Sequence, residues 1–317
     1  MSLRQARRSP SRPDPGGAWR DSPHLWFWLM TGPFLAGLAV FVLVPIGWSV
    51  WLSLFDAHNT VTPTRFVGLD NYRDMLADPA FRSSLVTFVV FAAIVVPLTF
   101  AGSLVLAVLV NGVRRFQAFF RSVFFLPLAC SYIAASLIWR GAIFPGVPTG
   151  VANAALRAVG AEPVAWLSVV DPPWYWLVLV TLRLWLQLGF YMILFLAALQ
   201  RVPRHLYEAA ALDGASGWTT FMRITLPQLR AVSVAVLLLA TVNAFEAFDE
   251  FYGVMATAQG YPPYARPPLI YLYYVAVGNG QDFGHGGAGG ILLTALIAVI
   301  ALAQGRFTGL FRGRGER

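Results

Sequence analysis

Residues 203–230 read PRHLYEAAALDGASGWTTFMRITLPQLR, a polar stretch between two strongly apolar segments that still carries the grammar of folded helix. Pro203 suits the first turn of a helix, where a missing N–H costs nothing. Leu206, Ala209, Ala210 and Leu212 follow at helical spacing. Gly214 is placed to stop that helix, because glycine takes a left-handed turn without a Cβ clash. Ser216 is placed to cap a second short helix carrying Trp218, Phe221, Met222 and Ile224. Pro227 closes the unit just before the next apolar run. The expectation is helix, glycine turn, helix, held close to a membrane.

The membrane follows from composition. Of 317 residues, 57% are hydrophobic and 12% charged, whereas soluble domains carry about 25% charged residues. The net charge is +8, and all 23 basic residues are arginine. In a membrane protein such a surplus reflects arginine retained on the cytoplasmic side, so no nucleic-acid partner is expected. Cys130 is the only cysteine, which excludes an intramolecular disulfide and a cysteine zinc cluster. His24, His58, His205 and His285 are scattered without HExxH spacing, which argues against a metal enzyme, and no metal ligands are assigned.

Residues 1–23 form a basic tail with the composition of a disordered segment. The apolar run after it resembles a signal peptide, but it is about twice the 7–15 residues of a signal core. It reads as an uncleaved first span. A helix needs roughly 20 apolar residues to cross a bilayer. On that rule six spans are expected near 25–52, 84–110, 119–140, 174–199, 231–251 and 287–305. The last begins in a glycine cluster (Gly284, Gly286, Gly287, Gly289, Gly290), so an irregular outer end is expected there.

Arginine counts set the orientation. Sixteen lie on the side that holds the N-terminal tail, the loops at 111–122 and 200–230 and the C-terminal tail; six lie on the other side; Arg183 alone stands inside a span. Both termini and the 203–230 stretch are therefore expected in the cytoplasm, and lipid surrounds the rest. No internal repeat is evident, which weakens the inverted-repeat secondary transporters.

Within 203–230 the residues Glu208, Ala209 and Ala210, then Gly214, Ile224, Leu226 and Pro227, give EAA-x3-G-x9-I-x-LP, with Asp213 just before the glycine. The pattern resembles the EAA loop of permease subunits in binding-protein-dependent ABC importers. The resemblance covers roughly residues 25–312. Gly68, Leu69, Asp70, Asn71 and Tyr72 are similar to the GLxNY element of carbohydrate permeases. Phe119, Phe120, Arg121 and Ser122, followed by Phe124, Phe125, Leu126 and Pro127, are similar to their RxxFFLP element. Ala244, Phe245, Glu246, Ala247, Phe248 and Asp249 are similar to the SFxxFD end of their fifth span. The chain looks like the first permease of a pair, of the maltose and glycerol-phosphate permease type. It departs from the family at 256–263, where a TGGGP-like turn is usual, and at Phe283, Gly284, His285, Gly286, Gly287 and Ala288, where FGYASA is usual. Both departures fall on the external side and bear on the solute.

The resemblance implies an all-α, polytopic membrane protein with about six spans and the type I ABC importer permease fold. It divides the chain into the tail at 1–23, a permease domain at 24–312 and a cytoplasmic tail at 313–317. It implies a sugar importer of the bacterial inner membrane, with a second permease subunit, two cytoplasmic ABC ATPase subunits and an extracytoplasmic solute-binding protein. Glu208 is expected to meet the ATPase, Gly214 to set the elbow, and Leu206, Ala210, Trp218, Phe221 and Met222 to fill its groove. The chain has no GxxxxGK[ST] phosphate loop, so ATP belongs to the partner and no cofactor is expected here. The alternatives are an ABC permease for a non-sugar solute, a stand-alone secondary transporter and a membrane-embedded enzyme, for which no catalytic spacing is present.

Charges inside a bilayer cost roughly 2.5–3.5 kcal/mol on the insertion scale, so they are functional or paired. Arg183 has two readings: a partner for an acid of the fifth span, or a wall of the solute path. Glu246, Asp249 and Glu250 stand near the outer end of that span, either in the path or solvated at the interface. Gln187, Tyr191, Asn243, Glu246, Ala247 and Asp249 form the expected pathway set, with Asn243, Glu246 and Ala247 on one helical face. Trp185, Phe190, Tyr191, Phe245 and Phe248 are candidate aromatic faces for a sugar.

Overall fold

Lipid offers the backbone no hydrogen-bond partner, so apolar runs that cross it fold as helix. The computed structural model describes residues 23–113, 115–145, 147–257, 260–278 and 280–307. The tail at 1–22, Arg114 of the 111–122 loop and the C-terminal tail at 313–317 lie outside them. Among the described residues the elements are helical, apart from isolated bridges at Phe55–Phe66, His58–Asp282 and Thr257–Gly260. In chain order the helices are α1 (Leu25–Leu52), α2 (Asp70–Ala77), α3 (Pro79–Gly112), α4 (Gln117–Phe125), α5 (Tyr132–Ile138), α6 (Val151–Ala158), α7 (Tyr175–Leu199), α8 (Arg204–Leu212), α9 (Gly217–Gln228), α10 (Arg230–Phe245), α11 (Asp249–Met255), α12 (Pro268–Ala276) and α13 (Phe283–Phe307).

Four of the six expected spans are continuous helices: α1, α3, α7 and α13. The other two differ from the straight spans expected. In place of 119–140, Gln117–Ala129 meets Tyr132–Ile143 at 96°. Pro127 lacks the N–H that would continue the helix, and Ser131 is extended. In place of 231–251, α10 ends at Phe245 and the chain restarts as α11 at Asp249. The segment before α10 joins it at 71° across Leu229.

Three π-helical turns, Ala39–Leu43, Trp139–Ile143 and Phe221–Thr225, each end two residues before a proline: Pro45, Pro145 and Pro227. A proline ring crowds the carbonyl four residues back and offers it no N–H, and slipping the ladder by one residue relieves both. Pro227 therefore sits inside the helical turn Leu226–Gln228 instead of ending the unit.

The centre of the protein is the long contact of α3 with α7. Leu104, Phe195, Leu229 and Val236 pack the end nearest residues 203–230. Phe91, Leu182, Trp139 and Phe251 pack the opposite end. A third cluster joins Phe88, Phe245, Tyr271 and Leu293. The most apolar part of α1 has no buried residue, an arrangement lipid tolerates and water does not.

The glycine cluster expected to be irregular is instead the regular first turns of α13. Its glycines serve close approach: a Cβ on Gly284 would stand 2.6 Å from the Phe55 carbonyl oxygen, and one on Gly287 would stand 2.8 Å from that of Ser49.

Candidate functional site

The 203–230 stretch folds as its residues dictate. α8 begins at Arg204, with Pro203 one position earlier than expected, as the extended residue before the helix. Gly214 has φ +66°. The Ala215 N–H donates to Ala210 O (2.9 Å) and the Gly214 N–H to Ala211 O (3.2 Å), the paired bonds of a Schellman stop. A Cβ on Gly214 would meet nothing within 4 Å, so this glycine is required for its backbone angle and not for space. The Ser216 hydroxyl caps α9 by accepting from the Thr219 N–H (3.2 Å). The Tyr207 and Thr225 hydroxyls, 3.2 Å apart, tie α8 to α9.

The loop sorts its side chains into two sets. Glu208, Ala209, Asp213, Gly214 and Pro227 are exposed. Ala210 is buried, and Phe221 and Leu226 pack onto the core of the chain itself. Ile224 and Leu206 are half-buried. The outward apolar surface is therefore Leu212 (90% exposed), Trp218 (68%) and Met222 (38%). This corrects the expected set: Ala210 and Phe221 anchor the loop, and Leu212 joins Trp218 on the outside. Trp218 stacks on Phe221, with ring centroids 5.9 Å apart, which links the two sets.

A second site lies where α5, α7, α10 and α11 meet. It is a polar cavity of about 220 Å³ lined by Tyr132, Arg183, Gln187, Asn243, Glu246, Asp249 and Glu250. Drug-sized ligands occupy roughly 300–1,000 Å³, so this volume suits part of a pathway or one sugar ring. Arg183 Nη1 donates to Glu250 Oε1 at 2.5 Å, and Nη2 donates to the Asn243 carbonyl. That carbonyl belongs to the last turn of α10, where it also accepts from the Glu246 N–H at 3.3 Å and where a cation is favourable. Gln187 Nε2 donates to the Tyr132 hydroxyl (2.9 Å), and Asn243 Nδ2 donates to that of Tyr191 (2.7 Å). The Arg183 guanidinium also lies over the Tyr132 ring, 5.1 Å from its centroid.

Of the expected pathway residues, Gln187, Asn243, Glu246 and Asp249 line this cavity. Tyr191 stands behind Asn243 and is fully buried. Ala247 is 1% exposed within the apolar core, because the helix breaks before it and the expected common face with Asn243 is lost. Glu250 is 1% exposed and paired, not solvated at an interface. The expected aromatic faces lie elsewhere: Trp185 against Trp139, Phe190 against Tyr191, Phe245 against Phe88 and Phe248 against Tyr252. The aromatic residue on the wall is Tyr132, which sequence reasoning missed because it lies in the interior of the expected 119–140 span and begins a helix only where that span breaks.

At the end of the molecule away from 203–230, Asp282 precedes α13 and accepts from the His285 N–H (3.0 Å). His285 Nδ1 and His58 Nδ1 lie 2.7 and 3.1 Å from its Oδ2. Burial alone would raise this carboxyl; the hydrogen bonds and charge of His285, with the bond to His58, outweigh it and hold the carboxyl at about 2. Close by, the Tyr271 hydroxyl donates to the Asp78 carboxylate. Burial and that carboxylate push the phenol up. The His58 contact joins the loop after α1 to the start of α13, and the Asp78 contact joins the turn between α2 and α3 to α12.

Comparison with known proteins bears on both sites. Residues 114–310 match the family described as "Binding-protein-dependent transport system inner membrane component". The chain is 30% identical over 280 residues to the lactose transport system permease protein LacF of Rhizobium radiobacter, covering 87% of this chain and 92% of that one. It is 34% identical over 304 residues to the arabinooligosaccharides transport system permease protein AraP of Bacillus subtilis (strain 168), covering 94% of each. A chain in the crystal structure of a bacterial ABC transporter involved in the import of the acidic polysaccharide alginate superposes with a TM-score of 0.77 at 22% identity, covering 92% of this chain and 98% of that one.

Proposed function

Because this chain belongs to the family of binding-protein-dependent transport system inner membrane components, we propose that it is the sugar-carrying permease subunit of an ATP-driven importer. It is a multi-pass membrane protein and a transport subunit. It forms half of the translocation path for a di- or oligosaccharide or related polyol, beside a second permease subunit. Two cytoplasmic ABC ATPases drive it, and an extracytoplasmic solute-binding protein loads it. Both termini are cytoplasmic, as the arginine surplus on that side requires. Hydrolysis is the ATPases' chemistry, and no cofactor is assigned to this chain.

The observation that carries this reading is the 203–230 unit. Its core-facing half is locked by Ala210, Phe221 and Leu226, while Glu208, Leu212 and Trp218 project outward. A rigid elbow with exposed apolar knobs and one acid transmits the displacement of a partner; a flexible loop absorbs it. Sugar as the class rests on the permease relatives and on a cavity lined by amides, carboxylates and a phenol, groups that match hydroxyls.

The test is reconstitution of both permeases and the ATPases in proteoliposomes with the binding protein and a sugar panel. A sugar that raises ATP hydrolysis and enters the vesicles supports the reading. Solute flux through this chain alone without ATP overturns it, and stimulation only by amines or phosphonates moves it to another solute class.

A further inference from the structure

A larger cavity, about 520 Å³, opens at the end of the molecule away from 203–230. Its size falls within the roughly 300–1,000 Å³ of ligand sites. Three segments enclose it: the π-helical turn Trp139–Ile143 through Arg140, the loop before α7 through Leu167 and Ser168, and the end of α11 with the segment after it. Its floor is buried at Val254, Met255 and Tyr261, and its rim is exposed at Ser168, Thr257 and Pro263. The walls are tied to one another. The Tyr264 hydroxyl donates to the Leu167 carbonyl (3.1 Å), the Tyr175 hydroxyl to that of Tyr264 (3.4 Å), and Arg140 Nη1 to that of Ala256. A site formed before its occupant arrives binds at a lower ordering cost. What it offers an occupant is positive. Among the described residues, the Ala256 carbonyl is the one acceptor on the Arg140 guanidinium, and no carboxylate lies within 4 Å of it. Arg266, behind the floor, donates to the Tyr261 carbonyl (3.2 Å) and likewise has no carboxylate within 4 Å.

We propose that this cavity is where the permease holds the extracytoplasmic solute-binding protein: an aspartate or glutamate side chain of that protein enters past Ser168 and pairs with Arg140. A guanidinium fork matches a carboxylate with charge-assisted hydrogen bonds. Leu167, Pro262 and Pro263 beside it suit the aliphatic stem of an acidic side chain. The occupant is a protein because the mouth faces the side from which the binding protein approaches, and because the family depends on such a partner whatever solute its members carry. One side chain seated in a preformed pocket serves as the anchor of an interface, and the charge pair fixes its register. The inference rests on the binding-protein partner proposed above and adds the residue that holds it.

The test uses the assembled transporter, both permeases and both ATPases, in nanodiscs, with the purified solute-binding protein of the same system as the probe. Its association and dissociation are followed by interferometry. Arg140→Gln is expected to weaken binding about tenfold or more, through faster dissociation. Ser168→Trp, at an exposed rim position, obstructs the mouth without touching Arg140 and is expected to weaken binding as well; it carries the test if Arg140→Gln fails to fold. Wild-type affinity in either folded variant overturns the proposal. Arg140→Glu is then paired with binding-protein variants in which each surface carboxylate is replaced by arginine in turn. One of them is expected to restore binding, which a purely structural role for Arg140 would not produce; rescue by none overturns the proposal. Binding of radiolabelled glucuronate to the transporter alone, lost in Arg140→Gln, assigns the cavity to a free acidic solute and also overturns it. No association of the binding protein with the wild-type transporter overturns the binding-protein reading on which the proposal rests.

Discussion

The guanidinium of Arg183 in α7 and the carboxylate of Glu250 in α11 form an ion pair, Nη1 to Oε1 2.5 Å, across 67 residues of chain. Both side chains are almost fully enclosed, at 5% and 2% exposure. Taking two charges out of water is costly, and their attraction offsets the cost only while both remain. Removing one strands the other. Arg183→Met and Glu250→Leu are each expected to destabilise the protein by about 3–5 kcal/mol. The double variant is expected to recover most of that loss. Thermal unfolding in detergent measures it. Single variants as stable as wild type, or a double variant no better than the singles, contradict this account of the pair.

That pair also explains a limit on what the residues disclose. The long apolar runs of α1, α3, α7 and α13 are legible because lipid demands them. The break at 246–248 is not, because no glycine or proline stands between Asn243 and Asp249. Its cause is tertiary: Arg183 takes the Asn243 carbonyl, and Phe248 leaves the helical region at φ −129°, ψ −57°. Periodicity carried past this break put Ala247 on the pathway and treated Glu250 as a candidate for the interface. The helix, glycine turn and cap of 203–230 were legible to within a residue, since they depend on local rules, whereas the place of Pro227 inside the second helix was not. Which apolar side chains faced inward was not, because Ala210 and Phe221 are sorted by contacts with the chain's own core.

Gly189 marks a close approach of α7 to the last turn of α4. A Cβ there would stand 1.8 Å from the Phe124 carbonyl oxygen and 2.4 Å from its carbon. The obstacle is backbone, which cannot rotate away as a side chain does. Gly189→Ala is expected to exceed the usual 1–3 kcal/mol of overpacking. Gly32→Ala in α1 serves as the comparison, since its Cβ would meet nothing within 4 Å. Melting curves in detergent should show a large loss for the first and none for the second. A Gly189→Ala protein with the wild-type midpoint contradicts the close approach.

Asp282 gives a dependence on pH. Its carboxyl is lowered from 3.8 to about 2 in the folded chain. As pH falls, the unfolded state takes up the proton first, so the stabilisation is complete above about pH 4 and is lost as pH falls toward 2. Asp282→Asn keeps a side chain able to cap α13 but removes the charge held by His285 and His58. The variant is expected to melt below wild type by a constant margin between about pH 5 and pH 6, where the unfolded carboxyl is ionised and the imidazole protonated, and the margin narrows as pH rises further and His285, whose proton the Asp282 carboxylate holds, releases it. The margin should narrow below about pH 4. A margin that stays level down to pH 3 contradicts the assigned role of the charge.

Gly214 separates backbone angle from surface chemistry in the coupling loop. At φ +66° any side chain with a Cβ is strained, by about 1–2 kcal/mol, yet asparagine and aspartate tolerate that region best among non-glycine residues. Nothing crowds the position, so Gly214→Asn and Gly214→Asp perturb the elbow alike. They differ in one negative charge, set beside exposed Asp213 and on the same loop as exposed Glu208. If this surface docks on the ATPase, Gly214→Asp blocks transport while the protein still inserts, and Gly214→Asn retains a larger share of it. Gly214→Ala, with the strain and no polar group, falls between wild type and Gly214→Asp. Solute-stimulated ATP hydrolysis and uptake in proteoliposomes rank the series. Equal losses in the asparagine and aspartate variants assign the defect to the elbow's backbone, and uptake close to wild type in Gly214→Asp removes the loop from the coupling surface.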